Sequence, residues 1–464
     1  RAAAMGKGSA EAGAVAPSEG APEARLLAPA RGRAAYRRGV LVLGCGFVGV
    51  FGGFQAAQGL QTSLNATLGF INLASLYGTF TLLCLVAPPL VGWLDAAVGL
   101  RVALLASSLA YVAMIFSNVA VADWALPISM SVLVGAGAPV LWTCQNDYLG
   151  RCAYHAAQAE EAGAGGHRGE GAALAAATAE FNSLFYSVYQ FAGMAGNVVA
   201  SSLMLAFAGS PLMKDVLFCV LGSVSVLGAA TFLCIPRVGV ANASSDQASL
   251  RDTAVLAVSD PRMSLLIPLI FTNGMTIGFI VGDYPAYVVS VVAGPNFVGF
   301  VAAAFYGVNA VATAGWGRLI TREVVSRRSA YMLATLCILA FLLAVILWRV
   351  PENFEKRGGD WRQLRSPSSL EVLEVFLLVA LFAVGDAFFE SGPVATLQNY
   401  FLGTAGAVPA MANVKMWQSL GYAAQFALGA GPVGSPALRA GLLAALCAAS
   451  ALCVLVLDRR APLQ

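Results

Sequence analysis

The sequence predicts an all-α membrane protein of twelve transmembrane helices arranged as two six-helix halves. Three observations lead there. Hydrophobic residues make up 58% of the 464 and charged residues only 11%, whereas soluble domains carry about 25% charged residues. Apolar runs of about 20 residues, the length at which a helix crosses a bilayer core, recur along the chain. A polar segment, 237–262, holding Asn242-Ala243-Ser244-Ser245-Asp246 and the arginines Arg237, Arg251 and Arg262, divides those runs six and six.

Residues 1–35 are rich in Ala, Gly, Pro and Arg and hold no apolar run of signal-peptide length, so they are expected to form a disordered cytosolic tail. The first half, 36–236, has runs near 39–60, 70–93, 101–120, 126–149, 180–208 and 215–236. A cytosolic linker, 237–262, follows. The second half, 263–457, has runs near 263–290, 297–319, 330–349, 371–401, 409–430 and 437–457, and 458–464 form a short cytosolic tail. Lysine and arginine placement sets the orientation. One side gathers Arg25, Arg31, Arg33, Arg37, Arg38, Arg101, Arg151, Arg168, Arg237, Arg251, Arg262, Arg318, Arg322, Arg327, Arg328, Arg459 and Arg460. The other has mainly Lys214 and a loop in which Lys356, Arg357, Arg362 and Arg365 are offset by Glu352, Glu355 and Asp360. Both termini are therefore expected in the cytosol.

A net charge of +3, with arginines spread among loops, argues against a nucleic-acid partner. The nine cysteines fall mostly in apolar runs and form no CxxC pair, and the two histidines, His155 and His167, share one loop without metal-ligand spacing. No nucleophile–base set or phosphate loop appears, so neither an enzyme nor a cofactor is expected.

Charges inside the spans are few and concentrated. Asp386 and Glu390 sit four apart, on one face of the tenth span, and Lys415 lies on the eleventh. A charge at the centre of a bilayer costs roughly 2.5–3.5 kcal/mol, so such groups face the protein interior. Either Glu390 and Lys415 neutralise each other between packed helices, or they line a path. Gly274, Gly278 and Gly282 make a smooth face on span seven, and Asp283 with Pro285 marks a bend there. That bend either exposes Asp283 to a cavity or leaves it solvated at the span's outer end. In the first half, Gln55, Gln58 and Gln61 share a side of span one, and Asn182, Tyr186, Gln190, Gly193 and Asn197 form a stripe on span five. These stripes either line a cavity or join helices, as amides commonly do in membranes. The first four spans are uncharged inside, so proton coupling, if present, rests on the second half. Asn65-Ala66-Thr67 is a glycosylation sequon in a non-cytosolic loop, close enough to the membrane that it is expected to stay unmodified.

Two six-helix halves joined by a polar linker are similar to the plan of the major facilitator superfamily, whose substrate sites lie between the halves. Gly92-Trp93-Leu94-Asp95 with Gly99 and Arg101 resembles that superfamily's loop latch between spans two and three, with the aspartate one place early and the central basic residue missing. A closer resemblance rests on an ordered set. In the first half it comprises Gln58–Asn65, Ser75-Leu76-Tyr77-Gly78, Ala87-Pro88-Pro89, Gly135-Ala136-Gly137-Ala138, Leu141–Gln145, Tyr148-Leu149, Phe181-Asn182, Tyr189-Gln190 and Gly196-Asn197. In the second half it comprises Gly278-Phe279-Ile280, Gly282-Asp283, Gly385-Asp386-Ala387 and Lys415 with Trp417–Gly421. The chain resembles the Unc-93-like family, an outlying branch of the major facilitator superfamily. Asn146 stands where that family usually has glycine, and the insert at 156–178 has no clear counterpart.

The resemblance implies a regulatory subunit of potassium channels, a role in potassium homeostasis, or a chaperone that escorts membrane proteins such as Toll-like receptors. The reading placed first is a multi-pass protein that modulates potassium or other ion transport through a partner channel. The rival is a secondary transporter, with Asp283, Asp386 and Glu390 lining a cation or proton path and Lys415 switching partners between states. The lipid bilayer and a membrane-protein partner are the expected contacts.

Overall fold

The structure, a computed structural model, describes residues 32–120, 124–164, 170–239, 250–358, 360–401, 404, 406–431 and 435–461. The expected N-terminal tail apart from its last residues, the centre of the linker, His167 and residues 462–464 lie outside them.

The first half opens with α1 (Arg33–Leu64), which ends where Asn65 leaves helical geometry. Asn65 then caps α2 (Ala66–Cys84), its side-chain oxygen accepting from the Leu68 amide at 3.2 Å. The second rod continues as α3 (Ala87–Val98) after a break just ahead of Pro88 and Pro89, which have no amide proton to give a preceding turn. Gly99, at φ 84°, makes the turn into α4 (Leu100–Ser117). Next, α5 (Ala125–Ala164) runs far past its expected end, and α6 (Glu170–Tyr189) begins well before residue 180. The alanine-rich insert, expected as loop, is largely helical because alanine is the strongest helix former. Arg33 fastens this extension by pairing with Glu160 and Glu180. The half closes with α7 (Phe191–Ala206), separated from α6 at Gln190, and α8 (Met213–Thr231).

Part of the linker is helical as α9 (Leu250–Ser259), which packs on the eleventh rod and accepts from Asn413 Nδ2 at the Thr253 carbonyl, 2.8 Å away. The seventh rod is composite: α10 (Pro261–Ser264), α11 (Ile267–Gly278), π-helical turns over Phe279–Asp283 and Pro285–Val289, and α12 (Ser290–Val292). The bend expected at Pro285 is therefore a local widening of the helix, a feature that often marks functional sites. Then come α13 (Val298–Thr321), α14 (Arg327–Leu347), the antiparallel strands β1 (Phe354–Arg357) and β2 (Asp360–Gln363), α15 (Ser369–Phe401), α16 (Ala407–Ala430) and α17 (Pro436–Arg460). The hairpin departs from the all-α expectation and lies in the polar loop between two spans.

Ten helical segments among the described residues are long and apolar enough to cross a membrane, not the expected twelve. The two rods outside that count are α6–α7, interrupted at Gln190, and α16, which carries Asn413, Lys415, Gln418, Ser419 and Gln425. Both are seam elements, where polar residues face protein instead of lipid. The first eight helices pack chiefly among themselves, as do α11–α17, and the dominant contacts across the divide are α2 with α16 and α7 with α13. Six rods separate the second from the eighth and the fifth from the eleventh, so the two seams correspond by the internal repeat.

Candidate functional site

The cleft between the halves holds two exposed charges of opposite sign. Glu390 is walled by protein yet keeps solvent-exposed surface, and its charge reaches Tyr186 and Tyr189 of α6, Tyr306 of α13 and Tyr422 of α16. Lys415 is also exposed and lies over the Trp142 ring of α5 at 5.7 Å from its centroid. Trp142 meets Tyr189 edge-on at 5.5 Å, and Tyr77 stacks on Tyr422 at 4.3 Å across the seam. Glu390 and Lys415 feel one another's charge, but no ion pair joins them within 4.0 Å. The structural ion pair that the sequence leaves open is not formed.

One turn before Glu390, Asp386 is fully buried. Asn273 Nδ2 of α11 donates to its Oδ1 at 3.0 Å, and Asn309 Nδ2 of α13 donates to its Oδ2 at 3.0 Å. Gln418 Nε2 donates to Asn273 Oδ1 at 2.8 Å, extending the network to α16. Four rods thus converge on a carboxylate whose hydrogen-bond partners are neutral amides. Such a group can gain or lose a proton, or meet a small cation, without breaking an ion pair.

Asp283 lies elsewhere and is neither cavity-lining nor solvated. It is 1% exposed and bound by Arg439, with Nε at 2.7 Å and Nη2 at 2.5 Å from Oδ1, while Gln425 Nε2 donates to Oδ2 at 2.8 Å. The Arg439 guanidinium also lies 5.5 Å from the Tyr287 ring centroid and 6.0 Å from that of Phe70. The widened turn ahead of Pro285 thus sets Asp283 beside the first turn of α17.

Among the amide stripes, Gln58 Nε2 donates to Tyr77 Oη at 2.9 Å and Gln61 Nε2 to Asn118 Oδ1 at 2.9 Å, joining helices of one half. Asn182 and Asn197 donate to carbonyls one turn back in their own helices, Thr178 at 2.9 Å and Gly193 at 2.8 Å. Gln190 marks the α6–α7 break. Of that stripe, Tyr186 faces the Glu390 charge, while the amides of Asn182 and Asn197 are turned to their own helices. In the loop latch, Gly99 makes the turn, and Asp95 pairs with Arg151 at 2.6 Å, which also holds Asp147 at 2.7 Å. Arg101 is not in that latch. Asn65 serves as a helix cap.

Sequence reasoning missed Asn273, Asn309, Trp142 and Arg439. Asn273 directly precedes the glycine face, and Arg439 lies three places after the proline that opens the last span, so both carried a signal. Trp142 stood within the resembling segment Leu141–Gln145, but nothing in its spacing pointed to the cleft.

The halves meet toward the face bearing the hairpin. There Thr62 Oγ1 donates to the Val281 carbonyl at 3.5 Å, Trp361 Nε1 to that of Ser63 at 3.3 Å, and the Phe300 amide to Ser201 Oγ at 3.1 Å, while Lys356 reaches the Leu64 carbonyl. Behind this closure the seam leaves a void of about 30 Å³ lined in part by Gln55, Gly59, Tyr284 and Tyr306, room for about one water.

Residues 61–163 match the family described as "Ion channel regulatory protein UNC-93". The chain is 26% identical over 429 residues to protein unc-93 homolog A of Danio rerio, covering 84% of this chain and 85% of that protein. It is 25% identical over 432 residues to the Homo sapiens protein of the same name, covering 84% and 86%. UNC93-like protein 3 of Arabidopsis thaliana is 26% identical over 408 residues, covering 85% and 80%. Among solved structures, the nucleoside transporter NupG aligns with a TM-score of 0.62 at 10% identity over 90% of this chain and 99% of its own. A D-xylose-proton symporter aligns at 0.59 and 13% identity over 89% and 95%. At such identities these two likenesses speak for the fold alone. The chain is thus similar to the UNC-93 proteins and is a multi-pass membrane protein with the major facilitator fold.

Proposed function

We propose that this protein is a secondary transporter that carries a small solute through the cleft between its halves, with Glu390 and Asp386 coupling that movement to a cation or proton. The observation that carries the reading is the pair Glu390 and Lys415, exposed in the cleft and not joined to each other. A protein that only packed against a partner has no need of opposite charges in its interior cleft, where desolvation makes them costly. Arginine placement in the sequence assigns the terminus-bearing face to the cytosol.

The likeness to the UNC-93 family supports a second reading, that the chain regulates an ion channel. Flux of potassium, protons and solutes into liposomes containing the purified protein alone separates the two. Flux abolished by Asp386→Asn and by Lys415→Ala agrees with transport. Well-folded protein that moves nothing, yet co-purifies with a channel, agrees with regulation.

A further inference from the structure

The cleft offers two opposite charges and aromatic walls, and from this we infer that its ligand is an aromatic zwitterion: a small flat molecule with an ammonium group at one end and a carboxylate at the other. The inference rests on the cleft identified above as the transport site and names what fits it. An ion of one sign would leave half of the site uncompensated. A lone cation at Glu390 leaves Lys415 without an anion, and a lone anion at Lys415 leaves Glu390 bare, in surroundings where unpaired charge is expensive. A zwitterion satisfies both.

The walls add the second requirement. The Trp142 ring lies 5.7 Å from the Lys415 ammonium, Tyr186, Tyr306 and Tyr422 stand within reach of the Glu390 charge, and Tyr186 is 37% exposed. Aromatic faces of this kind favour a flat apolar body, and phenolic hydroxyls can bond its polar edge. Lys415 already rests on the Trp142 ring, and an arriving carboxylate would exchange that cation–π contact for a stronger charge-assisted hydrogen bond. Trp142 belongs to one half and Lys415 to the other, so the ligand would also bridge the two bodies that move in transport.

Three compounds sharing one ring system isolate each charge: L-tryptophan, tryptamine without the carboxylate, and indole-3-propionate without the ammonium. Affinity is measured calorimetrically on purified full-length protein in detergent. L-Tryptophan is expected to bind about 10–100-fold more tightly than either analogue, the scale of one charge-assisted bond. Lys415→Met should reduce it to the level of tryptamine, whose own binding stays unchanged. Glu390→Gln should reduce it to the level of indole-3-propionate, and Lys415→Arg should keep the wild-type ranking. Equal affinities, no binding by any compound, or substitutions that weaken all three alike would overturn the assignment. Tryptophan binding without flux in liposomes retires the transport reading and leaves the ligand class standing. Flux of some other solute without tryptophan binding does the reverse.

Discussion

Arg439→Met is expected to be among the most damaging single substitutions in the chain. Asp283 and Arg439 are 1% and 5% exposed, and Arg439 places both Nε and Nη2 on one carboxylate oxygen. Removing the guanidinium leaves a buried carboxylate with Gln425 as its remaining side-chain donor. Breaking a buried pair from one side costs about 3–5 kcal/mol, or two to nearly four orders of magnitude in the folding equilibrium. By contrast, Arg328 and Asp458 meet at 3.4 Å with side chains 55% and 19% exposed, and breaking that pair should cost less than about 1 kcal/mol. Reversible unfolding in mixed micelles of rising SDS content measures both. The decisive variant is Asp283→Leu combined with Arg439→Met, which removes both charges at once and should cost less than either single change. If the two single costs simply add in the double variant, the side chains do not act as a buried pair and the reasoning fails.

Asp386→Asn should cost about 1–3 kcal/mol and abolish coupled flux, because an amide nitrogen would replace an oxygen that now accepts from Asn273 or Asn309; unaltered flux in liposomes would remove Asp386 from the pathway. Gly196→Ala should lower yield and melting temperature sharply, since an added Cβ would lie 1.9 Å from the Gly52 carbonyl oxygen, backbone that has no rotamer by which to retreat. At the start of the seventh rod, Arg262 holds the Asp260 carboxyl below its usual range. A lowered folded-state value gives stability that is present above about pH 4 and lost as pH falls through the folded-state value. The melting difference between wild type and Asp260→Asn should therefore be small at pH 7, because the pair is partly exposed, and should vanish in acid.

Hydropathy made the rods legible because a bilayer imposes a length that soluble packing does not. It failed at the seams for a related reason: α16 and α6–α7 face protein and cleft, so their polar content removes the lipid signal. Carboxylates could be found by eye, since a charge in an apolar run stands out, but their partners could not. Asp283 stood out beside Gly282 and Pro285, yet the group that decides its surroundings, Arg439, lies 156 positions further along the chain. Asn273 and Asn309 are ordinary amides until three rods, α11, α13 and α15, bring them to Asp386. Glu390 and Lys415 looked like natural partners, and only the placement of α15 against α16 sets them apart.

The distribution of strong and weak contacts favours movement of the halves as bodies. The buried charge pair Asp283–Arg439 and the Asp386 network each lie within the second half, and the Asp95–Arg151 latch lies within the first. Across the seam no ion pair is found among the described residues, and the hydrogen bonds are mostly neutral: Thr62 to a carbonyl, Thr81 to Ser419 at 3.0 Å, an amide to Ser201 and an indole to a carbonyl, with the Lys356 ammonium on the Leu64 carbonyl as the charged exception. Each neutral bond contributes about 0.5–1.5 kcal/mol net, and water can replace it as the seam opens. Parting the halves on the hairpin face would thus leave these buried ion pairs intact. A ligand held between Lys415 and Glu390, touching Trp142 on the opposite body, would then favour whichever arrangement brings those three groups closest, because a ligand shifts an equilibrium only by its differential affinity for the two states.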